Sequence, residues 1–305
     1  MTKRIHIVSV LTLIVPAWGQ FDVTSPYPLD LKCEPIGKRN DADLRGCGFT
    51  GPRGGNVNLV IVTPKLVKPP YAGVVFQHGG GQTMANYISE AIVLARAGVV
   101  SLLVDAPARG PGKVSELNMT KLEAARGLQV EVVMTERRAL DILLQQPGVD
   151  PKRIAYVGHS YGSIAGGVLT GIEPRIAAFI LMGTLTSEAQ HIQESKSPHW
   201  EEMRQRMSTG EFTRTLELIR ETDPLHFLPK AKASVLVQCA RFDSEDNVRG
   251  CPQVHALLGG PKQLQWYDDD HGFTSIEAMR DRLAWLEKHL KLRTTGRELE
   301  RFLKR

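Results

Sequence analysis

The amino-acid sequence predicts an α/β protein with a mostly parallel central sheet and helices on both of its faces. From Asn56 onward, short apolar segments rich in β-branched residues alternate with longer segments of helical periodicity, a pattern typical of strand-helix-strand units. The segment Val99–Val104 consists mainly of Val and Leu, which suits a strand buried on both faces. Of the 305 residues, 42% are hydrophobic, so the chain can fill the core that such a sheet requires.

Each predicted strand is an apolar run, and each predicted helix lies between two such runs. The predicted strands are residues 56–62, 72–76, 99–104, 153–157, 177–182, 233–239 and 263–267. The predicted helices are residues 84–97, 120–145, 160–170, 248–258 and 275–290. Capping-box patterns at residues 120–123 (Thr-Lys-Leu-Glu) and 274–277 (Thr-Ser-Ile-Glu) predict the start of two of these helices.

Two segments depart from this alternation. Residues 184–224 are polar and rich in Glu, Gln, Arg and Met, and we expect a small helical insertion that caps the carboxyl end of the sheet. Residues 291–305 form a basic C-terminal tail that contains a glycine, and a solvated or frayed helix is expected there. A single α/β domain is therefore predicted over residues 20–290, with the insertion inside it.

The first residues have the three parts of an export signal. Lys3 and Arg4 precede an apolar run over residues 7–15, and the small residues Ala17 and Gly19 occupy the positions that a signal peptidase inspects. The run is shorter than the roughly 20 residues that a membrane-spanning helix needs, so a stable membrane anchor is not expected. We therefore predict that residues 1–19 are a signal peptide and that the mature protein is secreted or periplasmic.

Four cysteines remain in the mature chain as two pairs that are close in sequence, Cys33 with Cys47 and Cys239 with Cys251. An oxidising compartment permits disulfides between them. Four unpaired, mostly buried thiols are an equal alternative, because the sequence alone selects none of the three connectivities. The spacing is not that of metal ligands, and no metal or cofactor is expected.

The segment Gly158-His-Ser160-Tyr-Gly162 predicts a nucleophilic serine. Its G-x-S-x-G pattern follows a predicted strand and opens a predicted helix, and in that context the pattern marks a sharp turn that holds the serine hydroxyl clear of the sheet. The competing interpretation is an ordinary glycine turn before a helix. Because the strand, turn and helix come in the required order, we predict that Ser160 is the nucleophile.

A serine hydroxyl needs a base and the base needs an orienting acid, and both are expected late in the chain. His271 lies in a loop after the last predicted strand, and Asp243 lies just beyond the strand that ends at Cys239. The neighbouring Glu245 and Asp246 are alternative acids. We predict a triad of Ser160, Asp243 and His271, and its order along the chain agrees with the G-x-S-x-G pattern.

A glycine-rich segment predicts the donors that stabilise an oxyanion. His78-Gly79-Gly80-Gly81 follows the predicted strand at residues 72–76, and glycines there let backbone amides approach a substrate. We predict that the amides of Gly80, Gly81 and Tyr161 form the oxyanion hole. A phosphate-binding loop is excluded because the lysine and the Ser or Thr of that motif are absent. His78, and Trp200 of the insertion, are predicted substrate-binding residues.

Residues 55–290 resemble the α/β-hydrolase superfamily. The resemblance rests on four motifs in this order along the chain: HGGG at 78–81, GHSYG at 158–162, Phe-Asp at 242–243 and DHGF at 270–273. Within it, the segments 223–229 (Asp-Pro-Leu-His-Phe-Leu-Pro) and 105–110 are most similar to those of dienelactone-hydrolase-like and prolyl-oligopeptidase-like esterases. Dienelactone hydrolases carry a cysteine nucleophile where this chain has Ser160, and lactone specificity is therefore not implied.

The motifs and the resemblance together predict a serine hydrolase that cleaves carboxylic esters through an acyl-enzyme. A serine peptidase of the oligopeptidase or aminopeptidase type is the alternative with the same triad, although no gating domain is expected from the sequence. A second alternative is not an enzyme: a non-catalytic binding protein with the same fold. The expected partner is therefore a small-molecule ester. A nucleic-acid ligand is not expected, because a net charge of +5 is modest for a chain of this length.

Overall fold

A computed structural model of the protein describes residue 21 and residues 28–37, 39–106, 122–293 and 295–304. Nine strands form one sheet: β1 (Lys32–Pro35), β2 (Ala42–Thr50), β3 (Asn56–Pro64), β4 (Tyr71–Gln77), β5 (Val99–Val104), β6 (Val149–His159), β7 (Ala178–Met182), β8 (Ser234–Ala240) and β9 (Lys262–Tyr267). Their order across the sheet is β1-β2-β3-β5-β4-β6-β7-β8-β9. Strands β5, β4, β6, β7, β8 and β9 run parallel, whereas β1, β2 and β3 pair antiparallel. The mostly parallel sheet expected from the sequence is confirmed.

Strands β1 and β2 were not predicted from the sequence. In β2 two glycines and the charged residues Asp43 and Arg45 interrupt the apolar positions, and β1 has four residues, none of them buried. Such strands lack the continuous apolar signal of the buried parallel strands. They form an antiparallel edge of the sheet, in which alternate residues face solvent.

Helices cover both faces of the sheet. They are α1 (Ile88–Arg96), α2 (Leu122–Leu144), α3 (Tyr161–Ile172), α4 (Glu188–Glu194), α5 (Pro198–Arg206), α6 (Thr209–Arg220), α7 (Glu245–Leu257), α8 (Ile276–Leu290) and α9 (Thr295–Leu303). Apolar side chains of α2, α3 and α7 pack on one face, and those of α1, α8 and α9 pack on the other. Burying a large aliphatic side chain contributes about 1.5–3 kcal/mol, so these two layers hold the sheet that carries the site.

Two helix starts differ from the sequence-based expectation. The cap of α8 is Ser275, whose side chain accepts a hydrogen bond from the Ala278 amide, rather than Thr274. Helix α7 starts at Glu245, three residues before the predicted position, because Ser244 caps it by accepting from the Asn247 amide. Thr120, the predicted cap of α2, lies outside the described residues.

The segment 184–224 contains helices α4, α5 and α6. Ala189, Ile192, Met203, Leu216 and Ile219 form a small apolar core of their own. The buried carboxylate of Asp223 ties the ends of the segment together, because it accepts from the Ser187 hydroxyl and, at 2.7 Å, from the Glu188 amide.

The C-terminal tail is not a solvated segment over its described part. Helix α9 packs against α1 and α8, and Leu299 is 2% exposed. Leu299, buried against two helices, holds the segment in place. This packing could not be predicted from the basic composition of the tail alone.

The four cysteines behave differently in their two pairs. Cys33 and Cys47 face each other across β1 and β2 and form a disulfide. Cys239 and Cys251 are buried free thiols. The first pair therefore forms the disulfide that an oxidising compartment permits, and the second pair consists of the unpaired, buried thiols of the alternative interpretation. Among the described residues, none of the helices is sufficiently long and apolar to cross a membrane.

Candidate active site

Ser160 lies in a strained turn between β6 and α3, near the middle of the sheet. Its backbone has φ 52° and ψ −115°, a region that costs a non-glycine residue about 1–3 kcal/mol. A β-carbon at Gly158 would overlap the carbonyl of Gly162, and one at Gly162 would overlap the carbonyl of Gln77. Both glycines of the motif are therefore required by close backbone approach.

Neighbouring hydrogen bonds hold this turn in place. The Ser160 amide donates to the Met182 carbonyl at the end of β7, at 2.8 Å. The Ser163 hydroxyl donates to the Ser160 carbonyl at 2.7 Å. The backbone of Ser160 is thus fixed to the sheet on one side and to α3 on the other, and its hydroxyl faces the cavity described below.

The structure brings Ser160, His271 and Asp243 together. The Nε2 atom of His271 lies 2.9 Å from the Ser160 hydroxyl, and its Nδ1 atom lies 2.8 Å from Asp243 Oδ2. The Asp243 side chain is 3% exposed and the His271 side chain 42% exposed. A buried acid behind a half-exposed imidazole that faces a serine hydroxyl is the geometry that nucleophilic catalysis requires.

Asp243 has a well-defined hydrogen-bonding environment. Its Oδ1 atom accepts from the Ser244 amide at 2.6 Å and from the Asn247 side chain at 2.9 Å. Burial opposes ionisation of Asp243, but the hydrogen bonds from His271 and Asn247 outweigh it and lower the pKa of the carboxyl. Asp243 is therefore ionised at neutral pH.

Asp246, the alternative acid, contacts a different histidine. Its Oδ2 atom lies 3.0 Å from His191 Nδ1, and its Oδ1 atom accepts from Arg249. The Trp200 indole donates to His191 Nε2 at 3.1 Å. An indole N–H can only donate, so His191 Nε2 is unprotonated and its Nδ1–H donates to Asp246. Asp246 links the insertion to α7 and does not contact His271.

The glycine-rich loop after β4 lies directly against the serine turn. A β-carbon at Gly79 would approach Ser160 Cβ and His159 Nδ1 to 2.9 Å, so a side chain there would displace the nucleophile. Gly81 has φ +76°, which favours glycine. Gly80, Gly81 and Tyr161 all line the same cavity as Ser160.

The prediction that His78 binds substrate does not fit its position. Its side chain is fully buried, its Nδ1 atom lies 2.7 Å from the Gly79 carbonyl, and its Nε2 atom accepts from the Ala106 amide at 3.1 Å. Both ring nitrogens are therefore used inside the protein. His78 fixes the glycine-rich loop to the segment after β5.

His159, next to the nucleophile, is also buried and structural. Its Nε2 atom lies 2.6 Å from the His271 carbonyl and its Nδ1 atom 2.9 Å from Gln82 Oε1. Burial, followed by the nearby His271, lowers the pKa of His159 to about 3. The neutral imidazole has one N–H and so donates to only one of these two oxygens, and its ring lies between the loop that carries the base and the glycine-rich loop.

The triad opens into a cleft of about 970 Å³. Its walls come from the glycine-rich loop, the turn after β7, the insertion and the two late loops. Among the described residues, apolar side chains from four positions line it: Ile164, Leu185, Trp200 and Phe242. Trp200 thus lies in the wall of the cleft, and its contact with substrate stays a prediction. Phe242 is 71% exposed, and it was not predicted from the sequence as a pocket residue.

No protein-family model matches the chain, and no curated protein matches it by sequence. Solved structures do match. An acetyl xylan esterase from Paenibacillus sp. R4 has a TM-score of 0.74 at 19% identity, covering 89% of this chain and 92% of that one. Acetyl xylan esterase 1 from Thermoanaerobacterium sp. JW/SL YS485 has a TM-score of 0.72 at 16% identity, with the same coverage.

The chain has the α/β-hydrolase fold. An acylaminoacyl peptidase from Pyrococcus horikoshii is also similar, with a TM-score of 0.64 at 15% identity, covering 85% of this chain and 44% of that one. In an α/β-hydrolase fold, loops at the carboxyl ends of the strands carry the functional side chains. Ser160, Asp243 and His271 follow β6, β8 and β9 in this way.

Proposed function

We propose that the protein is a serine hydrolase that cleaves carboxylic esters through an acyl-enzyme intermediate. The observation that carries the proposal is the continuous hydrogen-bonded arrangement of Ser160, His271 and Asp243 at the edge of an open cleft. The similarity to structures named acetyl xylan esterase supports ester hydrolysis.

The geometry accounts for each step of acyl transfer. His271 Nε2 accepts the Ser160 proton as the hydroxyl attacks the ester carbonyl, and the Nδ1–H of the resulting imidazolium donates to the ionised Asp243. His271 then gives the proton to the leaving alcohol, which leaves an acyl group on Ser160. A water molecule, activated by the same imidazole, releases the acid and restores the hydroxyl.

Backbone amides of Gly80, Gly81 and Tyr161 are proposed to stabilise the oxyanion. Tyr161 directly follows Ser160 and is the first residue of α3, and the amide that follows the nucleophile is an oxyanion donor in this kind of turn. The Ser160 amide is committed to Met182 and is not proposed as a donor. One oriented donor lowers the barrier by about 3 kcal/mol.

The test of the proposal compares the wild-type enzyme with Ser160→Ala on p-nitrophenyl acetate. We expect Ser160→Ala to lower kcat by at least 10³-fold, because the nucleophile is lost while the cleft remains. Ser208→Ala is the control, since this exposed serine caps α6 away from the cleft. Equal rates in the Ser160→Ala variant and the wild type would remove the basis of the proposal.

A peptidase activity on the same triad is the second candidate, because the acylaminoacyl peptidase structure is also similar. The chain aligns with 92% of the Paenibacillus esterase but with 44% of the peptidase. We therefore expect acetyl esters to be cleaved faster than acyl-aminoacyl anilides. A higher kcat/KM for the anilides would favour the peptidase.

We also propose that the protein is exported and that residues 1–19 are removed. The disulfide between Cys33 and Cys47 supports this, because such bonds persist in oxidising compartments. N-terminal sequencing of protein recovered from the medium or periplasm should begin at Gln20. A product that keeps Lys3 and Arg4 and stays in the cytoplasm would contradict export.

A further inference from the structure

Asn247 contacts two members of the triad. Its Nδ2 atom lies 2.9 Å from Asp243 Oδ1 and 3.1 Å from His271 Nδ1. Asn247 also lines the cleft. It is the third residue of α7, whose N-terminal cap, Ser244, directly follows Asp243. The helix start therefore brings a side-chain amide back to the carboxylate that precedes it.

The protonation of His271 decides which contact Asn247 makes. For His271 to accept the Ser160 proton, its Nε2 atom must carry a lone pair, so the hydrogen of the neutral ring is on Nδ1. That hydrogen is donated to Asp243 Oδ2. Because Nδ1 then has no lone pair to offer, the Asn247 amide donates to Asp243 Oδ1.

The two oxygens of Asp243 thus have separate partners. Oδ1 accepts hydrogen bonds from the Ser244 backbone amide and the Asn247 side chain, and Oδ2 accepts one from His271 Nδ1. The two donors on Oδ1 come from one helix end, so they fix the rotation of the carboxylate about its side-chain bonds. Only one oxygen then faces the imidazole.

We infer that Asn247 is a positioning residue, which holds the Asp243 carboxylate so that Oδ2 accepts the Nδ1 hydrogen of His271. This inference rests on the proposed function, since it describes how the same triad is oriented. Without the Asn247 amide only the Ser244 amide holds Oδ1, so the carboxylate rotates more freely, and a misplaced base lowers the rate of proton transfer.

The first experiment measures kcat and KM of Asn247→Ala with p-nitrophenyl acetate. We expect kcat to fall about 10-fold to 100-fold while KM stays within about twofold, because the change affects proton transfer and leaves the substrate-binding walls in place. Gln253→Ala is the matched control, since Gln253 is an exposed residue one to two turns further along α7. It should keep the wild-type kcat.

The second experiment exchanges the carboxylate and the amide. Asp243→Asn should lower kcat by about 10⁴-fold, as loss of the acid does in such triads. In the double variant Asp243→Asn with Asn247→Asp, the carboxylate at position 247 is within reach of His271 Nδ1 and the amide at position 243 can donate to it. We expect the double variant to recover at least tenfold over Asp243→Asn alone.

These results separate the inference from the proposed function. A wild-type kcat in Asn247→Ala, or no recovery in the double variant that remains folded by circular dichroism, would overturn the role of Asn247 while ester hydrolysis by the wild type stands. If kcat falls as much in Gln253→Ala as in Asn247→Ala, the cause is a general weakening of α7. That result would also overturn the role of Asn247. Failure of the proposed function would appear instead as equal activity in wild type and Ser160→Ala.

Discussion

Ser160 keeps an unfavourable backbone conformation because the residues around it are small or hydrogen-bonded to it. The flanking Gly158 and Gly162 have no room for a β-carbon, and the Ser160 amide is held by Met182. Gly162→Ala should therefore destabilise the protein and lower kcat together. The change would push α3 away from β4 and move the hydroxyl relative to His271.

The buried His159 predicts how stability depends on pH. Its pKa in the folded protein is about 3, below the usual value near 6.5. Between these values the unfolded chain binds a proton that the folded protein does not. The contribution of His159 to the free energy of unfolding is therefore complete above pH 6.5. It falls by about 1.4 kcal/mol per pH unit as the pH decreases toward 3.

We expect His159→Gln to flatten this dependence. Urea unfolding at several values between pH 6.5 and pH 4.5 should give a smaller slope of the unfolding free energy against pH than in the wild type. His226→Gln, at an exposed position, controls for the removal of a histidine. An unchanged slope in His159→Gln would contradict the account of this residue.

At the scale of elements, the insertion shapes the cleft through helices α4 and α5. Trp200 on α5 donates to His191 on α4, and His191 in turn donates to Asp246 on α7. Both rings line the cleft, and they meet edge to face with centroids 5.9 Å apart. The orientation of Trp200 is thus set by its bond to His191, which is itself bonded to α7, the helix that carries Asn247.

Trp200→Ala is expected to change substrate binding more than chemistry. Removing the indole enlarges the cleft, so KM for p-nitrophenyl acetate should rise about tenfold, which corresponds to about 1.4 kcal/mol, while kcat changes little. Met207→Ala is the control, since Met207 packs in the core of the insertion and does not line the cleft. Steady-state kinetics that show a fall in kcat at constant KM would contradict this role.

The disulfide stabilises the antiparallel edge formed by β1 and β2. It joins residues 14 positions apart, and closing a loop of this size in the unfolded chain is worth about 3 kcal/mol. We expect the Cys33→Ser, Cys47→Ser double variant to lose about this much unfolding free energy in urea. Its kcat should be unchanged, because several strands separate this edge from β6. Equal stability with and without the bond would contradict the prediction.

The sequence predicted the elements whose signals are local and continuous. The buried parallel strands and the G-x-S-x-G turn belong to this group, because their apolar runs and glycine spacing are readable within a few residues. Asn247 was not found, since its role depends on where α7 starts relative to Asp243. The burial of His78 could not be predicted for a similar reason: its partner Ala106 lies on another loop, and only the fold brings the two together.

At the scale of the whole molecule, the sheet order explains how the triad forms. Strand β6 carries Ser160 near the centre, and the neighbouring parallel strands β7, β8 and β9 end on the same side. The acid and the base therefore reach Ser160 from loops far apart in sequence. The long-range apolar packing on both faces fixes these distances, and neither composition nor spacing specifies them.

The central claim is that Ser160 becomes covalently modified during turnover. The most direct measurement is peptide mass mapping after reaction with a fluorophosphonate, which forms a stable adduct with an activated serine. We expect one adduct per chain, on Ser160, that forms slowly in Asp243→Asn and is absent in Ser160→Ala. An adduct on another serine, or none on a folded protein that hydrolyses esters, would contradict it.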